Sequence, residues 1–253
     1  MKLPLTPMKI ITPLCIAAIA AASSFATPAQ AGDPDFGPNV LVFDPSMNNI
    51  QQQIDGVSRY GQFDGRRCAL LFKPGNYKVD AKVGFYDQVL GLGQTPDAVV
   101  LDGLHSTDHG NVTQTFWRAA ENLSSPTVFW AVSQGTSIRR IHARGNLSIY
   151  AGGWASGGFD ADCKVDGNLE AGGQQQWFSR NSELGGWAGG AWNIVFVGVP
   201  NTGKLRYDGK TKTYGPIQWP VDTGVDQAPL IAEKPYLFVD NSGNYNVMVP
   251  AVR

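Results

Sequence analysis

Ala69-Leu70-Leu71-Phe72-Lys73-Pro74-Gly75-Asn76-Tyr77-Lys78-Val79 reads as a strand, a tight Pro-Gly turn and a second strand. Gln88-Val89-Leu90-Gly91-Leu92-Gly93 and Ala98 to Leu101 continue the pattern. Further short runs follow at Phe129 to Ser133, Ile138 to Ala143, Phe159 to Asp166, Gln174 to Arg180, Asn193 to Val199, Tyr236 to Asp240 and Tyr245 to Val249. Two-residue hairpin turns between neighbouring alternating strands are scarce, which weighs against a β-sandwich or an antiparallel barrel. Stacked coils let many short strands share one core and leave few exposed edges. A weak echo, Gly152-Gly153-Trp154-Ala155 against Gly185-Gly186-Trp187-Ala188, has an offset of 33 residues and suggests a coil period.

Only Asp44 to Gly61 has helical character. Asp44 is a candidate N-cap, Pro45 a candidate first helical residue, and Met47, Ile50, Ile54 and Val57 form one apolar stripe. A lone amphipathic helix ahead of the strand series predicts a lid on the end of the coil.

Composition agrees with strands and turns. The 253 residues include 30 Gly and 16 Pro but only four glutamates, and 43% are hydrophobic. With 16% charged residues and a net charge of −1 there is no basic stripe for nucleic acid and no acidic tail. Lys2 and Lys9 precede the apolar run Ile10 to Ala22, and Ala29-Gln30-Ala31 supplies a small-x-small site. That predicts a signal peptide over 1–31, cleaved after Ala31, and a single exported domain over 32–253. Its net charge would be −3, and no second apolar stretch spans a bilayer. The expected location is extracellular or periplasmic. Cys68 and Cys163 remain in that domain, and their pairing is open.

The candidate catalytic residues are carboxylates. Phe159-Asp160-Ala161-Asp162-Cys163-Lys164-Val165-Asp166 alternates apolar and charged positions, so Asp160, Asp162, Lys164 and Asp166 are expected together on one outer strand face. Such a row suits Ca²⁺, the one cofactor left open, or a crowded carboxyl that keeps its proton; a solvated face neutralised by Lys164 is the plain alternative. Glycoside hydrolysis needs two carboxyls about 5–10 Å apart, and Asp160 with Asp162, or Glu183 with either, would qualify if adjacent coils align them. Sugar rings stack on aromatic faces. Trp154 and Trp187, each flanked by glycines, are expected on exposed turns, with Trp177 and Trp192 in the core. Gln176, Arg180 and Lys164 are the candidate hydroxyl-binding partners. Arg139, Arg140, His142 and Arg144 form a basic cluster that would suit acidic sugars or serve as plain surface charge. His105 and His109 lie in a polar loop without a zinc-like partner set.

The Leu71–Val79 stretch with Val89-Leu90-Gly91-Leu92-Gly93 resembles the opening coils of the pectate-lyase-like right-handed parallel β-helix superfamily. Phe116 to Leu123, Gln174 to Ser182 and Trp192 to Val199 are similar to secreted bacterial proteins related to glycoside hydrolase family 55, the exo-β-1,3-glucanase group. The resemblance implies an all-β, right-handed parallel β-helix with one N-terminal capping helix, acting on polysaccharide, with β-glucan as the preferred substrate class. It also implies two side-by-side β-helices in the relatives, with the catalytic acid on the second. No position here matches that acid, and Val249 to Arg253 falls where the first helix would hand over. A non-catalytic carbohydrate-binding module and a Ca²⁺-dependent polysaccharide lyase are the rival functions. The expected partner in each case is a poly- or oligosaccharide, with no nucleic acid and no membrane after signal cleavage.

Overall fold

The computed structural model describes residues 33–59, 62–106, 114–150, 155–200, 221–225 and 227–253. The expected signal peptide, Trp154 and His109 lie outside them. Among the described residues no helix is long and apolar enough to cross a membrane.

The chain forms β1 (Val40–Phe43), α1 (Ile50–Ser58), β2 (Cys68–Phe72), β3 (Gly75–Val83), β4 (Asp87–Gly91), β5 (Val99–Ser106), β6 (Arg118–Ser125), β7 (Val128–Phe129) and β8 (Thr136–Ala143). It continues with β9 (Leu147–Ser148), β10 (Phe159–Ala161), β11 (Lys164–Gly172), β12 (Gln176–Arg180), β13 (Glu183–Gly189), β14 (Asn193–Val197), β15 (Val221–Val225), β16 (Tyr236–Val239) and β17 (Tyr245–Met248). All pairings are parallel except the terminal β16–β17 hairpin. The fold is a right-handed parallel β-helix, as the strand series and the resemblance led one to expect.

Register defines its faces. On the first, β1, β2, β4, β6, β8, β10, β12, β14 and β15 stack in that order. Leu41, Leu70, Val89, Ala120, Ile138, Asp160, Ser179 and Phe196 form one inward line along it. Another face carries Leu104, Val128, Leu147, Leu169 and Trp187 in line. Each buried aliphatic side chain contributes roughly 1.5–3 kcal/mol by leaving water. The first line is aliphatic as far as Ile138, after which Asp160 and Ser179 interrupt it with polar side chains before Phe196.

The 33-residue echo is not the coil period. Coils on the first face run from 17 residues (Gln176 to Asn193) to 31 (Gln88 to Ala119), because the corners between faces differ in length. The cysteines are both free, Cys163 buried and Cys68 half-buried.

The capping helix is present but starts six residues after Asp44. Asp44 accepts from the Ser46 amide at 3.0 Å and the Ser46 hydroxyl at 2.7 Å, and the Met47 amide bonds the Asp44 carbonyl at 3.0 Å. Asp44-Pro45 therefore opens a tight turn, and Met47 is left 42% exposed. From Ile50 onward the stripe behaves as expected, with Ile50 and Ile54 buried against the core. Gln51 completes the lid: its side-chain amide bonds both the amide (2.8 Å) and the carbonyl (3.1 Å) of Asp80 on β3, capping that strand's open edge.

The corner preceding the first face is polar inside. Arg118 donates to the Val83 carbonyl at 2.9 Å and to Gln62 Oε1 at 3.1 Å, and Asp87 accepts from the Gly84 amide at 3.1 Å. Burial pushes the Asp87 carboxyl up to about 6, against the Gly84 amide and the Arg118 and Arg66 guanidinia, which pull it down. A folded-state pKa above the ordinary 3.8 means that ionisation costs more in the fold than in the unfolded chain. This stability is present below the unfolded pKa and is lost as pH rises through about 6. Between pH 7 and pH 4 the stability of the wild type relative to Asp87→Asn is expected to improve by about 2 kcal/mol in urea titrations. A difference that does not change with pH contradicts this assignment.

Candidate functional site

A ladder of left-handed residues organises the corner that follows the first face. Asn122 (φ 57°), Arg140 (52°), Asp162 (57°), Asn181 (49°) and Gly198 (72°) occupy it on successive coils. Asn, Asp and Gly tolerate this conformation best, and here the polar side chains also bond along the ladder. Asn122 Nδ2 donates to the carbonyls of Gly91 (2.9 Å) and Gly93 (2.7 Å), Arg140 Nε to Asn122 Oδ1 at 3.2 Å, and Asn181 Nδ2 to Asp162 Oδ1 at 2.5 Å.

The left-handed residue also reverses the side-chain alternation. Asp162 breaks the run 159–166 into β10 and β11, so Asp160 points into the core while Lys164 and Asp166 point out. The expected row of Asp160, Asp162, Lys164 and Asp166 on one outer face does not form. Asp160 is fully buried and accepts from Trp177 Nε1 (2.6 Å), the Ser179 hydroxyl (2.5 Å) and the Ser182 hydroxyl (2.7 Å). Burial drives its pKa upward against those three donors. With no exposed surface it has no route to a substrate, so its expected catalytic role is withdrawn in favour of a structural one. Asp166 is engaged by His142 Nε2 at 3.0 Å and Lys164 at 3.3 Å. The carboxylates diverge, and among the described residues no cluster of three or more His, Cys, Asp or Glu side chains is placed to hold a metal.

Asp162 and Glu183 do come together, in a cleft of about 350 Å³ that also takes in Arg140, Lys164, Glu233 and Arg253. The segment 230–236 closes one side of it. Arg180 donates to the Leu230 carbonyl at 2.7 Å, and Glu233 accepts from Arg140 (3.1 Å) and Arg253 (2.8 Å). Lys234 pairs with the buried Glu121, and the Arg140 guanidinium lies 4.0 Å over the Tyr236 ring. Burial raises the Asp162 pKa, helped by the Glu233 charge and opposed by Asn181, Arg139 and Arg140. Asp162 thus gives up its proton less readily than a free aspartic acid, and Glu183 is exposed at the start of β13. Three acidic and three basic side chains balance, which suits an uncharged, hydroxyl-rich ligand better than a polyanion.

The aromatic expectations fare unevenly. Trp187 ends an inward line of the core, 2% exposed and 5.2 Å from the Phe196 ring, so it presents no face to a ligand. Trp177 is buried as expected, whereas Trp192, expected in the core, is 40% exposed. Gln176 is exposed on β12, and Arg180 is tied to the 230–236 segment. The basic cluster is neutralised. His142 Nδ1 and Arg144 both bond Asp97, at 2.8 and 3.0 Å, and Arg139 covers the Phe159 ring at 4.7 Å. Reading the sequence alone passed over Glu233 and over Trp117, the latter 55% exposed.

No family model matches the chain. It is 42% identical, over a 252-residue alignment, to an exo-beta-1,3-glucanase of Streptomyces sp. (strain SirexAA-E / ActE), covering 92% of this chain and 40% of that protein. The solved structure of sacteLam55A from Streptomyces sp. SirexAA-E superposes with a TM-score of 0.76 and 42% identity, over 88% of this chain and 41% of that one. An ensemble refinement of a variant of sacteLam55A in complex with glucose gives 0.75 at the same identity and coverage. The chain thus spans about two fifths of the length of the relatives it matches. The likeness to the exo-β-1,3-glucanase group, carried in the sequence by Phe116–Leu123, Gln174–Ser182 and Trp192–Val199, holds over nearly the whole described β-helix.

Proposed function

We infer that this chain is a glycoside-hydrolase-type β-helix that engages β-1,3-glucan. The observation that carries the reading is the 42% identity with an exo-beta-1,3-glucanase over 92% of the chain, joined to a TM-score of 0.76. The charge-balanced cleft supports it: Asp162, Glu183 and Lys164 offer donors and acceptors to neutral hydroxyls. Of the three carboxyls considered for proton transfer, Asp162 and Glu183 face solvent and Asp160 does not. The lyase reading has less support, because Arg140, His142 and Arg144 are held by Glu233, Asp97 and Asp166, and Arg139 lies over the Phe159 ring.

Co-sedimentation with insoluble β-1,3-glucan tests the reading. The protein is expected to leave the supernatant with β-1,3-glucan and to remain in it with cellulose, and glucose release is measured in the same tubes. Failure to partition onto β-1,3-glucan overturns the proposed ligand. Partition without any sugar release leaves the chain a binding β-helix and removes the hydrolytic role of Asp162 and Glu183.

A further inference from the structure

The corner that precedes the first face, at the opposite ends of its strands from the Asp162 cleft, carries a second feature. Tyr86 and Trp117 occupy the last position before β4 and β6, with φ of 61° and 52°. Bulky L-residues rarely adopt this conformation, and such departures persist where the surroundings fix them, often at sites that bind. Here the neighbouring coils fix them. The Tyr86 amide donates to the Trp117 carbonyl at 2.7 Å, and the Trp117 amide to the Gln134 carbonyl at 3.3 Å.

The side chains stack in the same order as the coils. The Arg67 guanidinium lies 4.1 Å over the Tyr86 ring, and the Tyr86 and Trp117 rings are 6.4 Å apart. On the next coil stands Gly135, where a Cβ would come within 2.9 Å of the indole. A glycine there lets the backbone lie flush against the ring. Trp117, backed by Gly135 and beside Tyr86, is nevertheless 55% exposed, an unusual cost in free energy for an indole. It overlooks a groove of about 470 Å³ whose floor includes the outward side chains of Gln88 and Ser137. Among the described residues its charged lining is Arg67, laid over the Tyr86 ring, and Arg118, bonded to the Val83 carbonyl and Gln62.

We propose that Arg67, Tyr86 and Trp117, with Gln88 and Ser137 on the floor, form a stacking subsite for a neutral glucan chain, apart from the Asp162 cleft. Pyranose C–H faces pack on the indole and phenol rings. The amide of Gln88, the Ser137 hydroxyl and the edge of the guanidinium bond the hydroxyls. The stacked Arg67 also donates to the Gly65 carbonyl at 2.7 Å, so it acts as a fixed hydrogen-bonding edge. This inference rests on the β-1,3-glucan reading and adds to it a place on the surface.

Calorimetric titration with β-1,3-linked glucohexaose of the wild type, Trp117→Ala and Trp117→Phe separates the two. Truncating a stacking aromatic is expected to weaken binding by roughly tenfold or more, and Phe, which keeps a flat ring, to recover most of it. Equal affinity of wild type and Trp117→Ala overturns the subsite and leaves the glucan reading standing. No binding by the wild type overturns both. Should Trp117→Ala fail to fold, oxidative footprinting of the wild type decides. Protection of Trp117 by the hexaose supports the subsite, and unchanged oxidation overturns it.

Discussion

Replacing Asp160 with alanine is expected to cost about 3–5 kcal/mol of stability, while Asp160→Asn stays within about 1–2 kcal/mol of the wild type. The asymmetry follows from its place in the core line between Ile138 and Ser179. Alanine leaves the Trp177 indole N–H and two serine hydroxyls without their shared acceptor, in a site closed to water, and opens a void beside them. Asparagine keeps one acceptor oxygen and has the shape of the neutral acid that burial favours. Denaturant unfolding of both variants measures this, with glucan co-sedimentation as the second readout. An alanine variant within 1 kcal/mol of the wild type contradicts the structural role. A well-folded Asp160→Asn that no longer acts on glucan returns Asp160 to the catalytic residues.

Gly91→Ala is expected to destabilise by at least about 3 kcal/mol, or to prevent soluble expression. A Cβ at Gly91 would stand 2.0 Å from the Asn122 carbonyl oxygen and 2.9 Å from its carbon, both backbone atoms of the next coil. The contact has no flexible side chain to yield. Relief requires the coils to separate, and Asn122 resists through its two bonds to the Gly91 and Gly93 carbonyls. Gly56→Ala is the matched comparison. Its Cβ meets nothing within 4 Å, it lies within α1, and alanine there is expected to stabilise by about 0.5–1 kcal/mol. Thermal unfolding of the pair reads both effects. If Gly91→Ala melts with the wild type, the close stacking of the β4 and β6 coils is wrong.

These two positions mark where the sequence was legible and where it was not. Gly91 sits in Val89-Leu90-Gly91-Leu92-Gly93; the contact that demands the glycine, Asn122 on the next coil, is distant in sequence, yet the strand pattern around it is a local signal of stacked coils. The Ile50–Val57 stripe was legible for the same reason, since one helix face meets one core. Asp160 was misread because alternation holds only while the backbone stays extended. One left-handed residue, Asp162, turns the chain through a corner, and nothing in the spacing of Phe159 to Asp166 signals it. Trp187 looked like a turn residue between glycines, but its strand continues the line Leu104, Val128, Leu147 and Leu169, which is visible only once the register is known. Tyr86 and Trp117 are 31 residues apart and adjacent in space. Coils of unequal length erase the periodicity that would have linked them.

The two clefts flank a face that the C-terminal hairpin partly covers. Val239 and Leu237 pack on Leu71, Leu90 and Leu92, the outward side of the first face, and the Val239 amide bonds the Leu92 carbonyl at 2.8 Å. The 230–236 segment borders the Asp162 cleft on one edge, and the Trp117 groove lies at the other. Sequence and corner geometry thus converge on a β-helix whose strand ends present polar and aromatic groups at its surface.

The central claim is settled most directly by isothermal titration of the purified wild-type chain with β-1,3-linked glucohexaose, a β-1,4-linked glucohexaose and an oligogalacturonate in parallel. Saturable binding of the β-1,3-linked sugar, with much weaker heats from the other two, is the predicted result. Preference for the oligogalacturonate, or no heat from any β-1,3-linked sugar, contradicts the account.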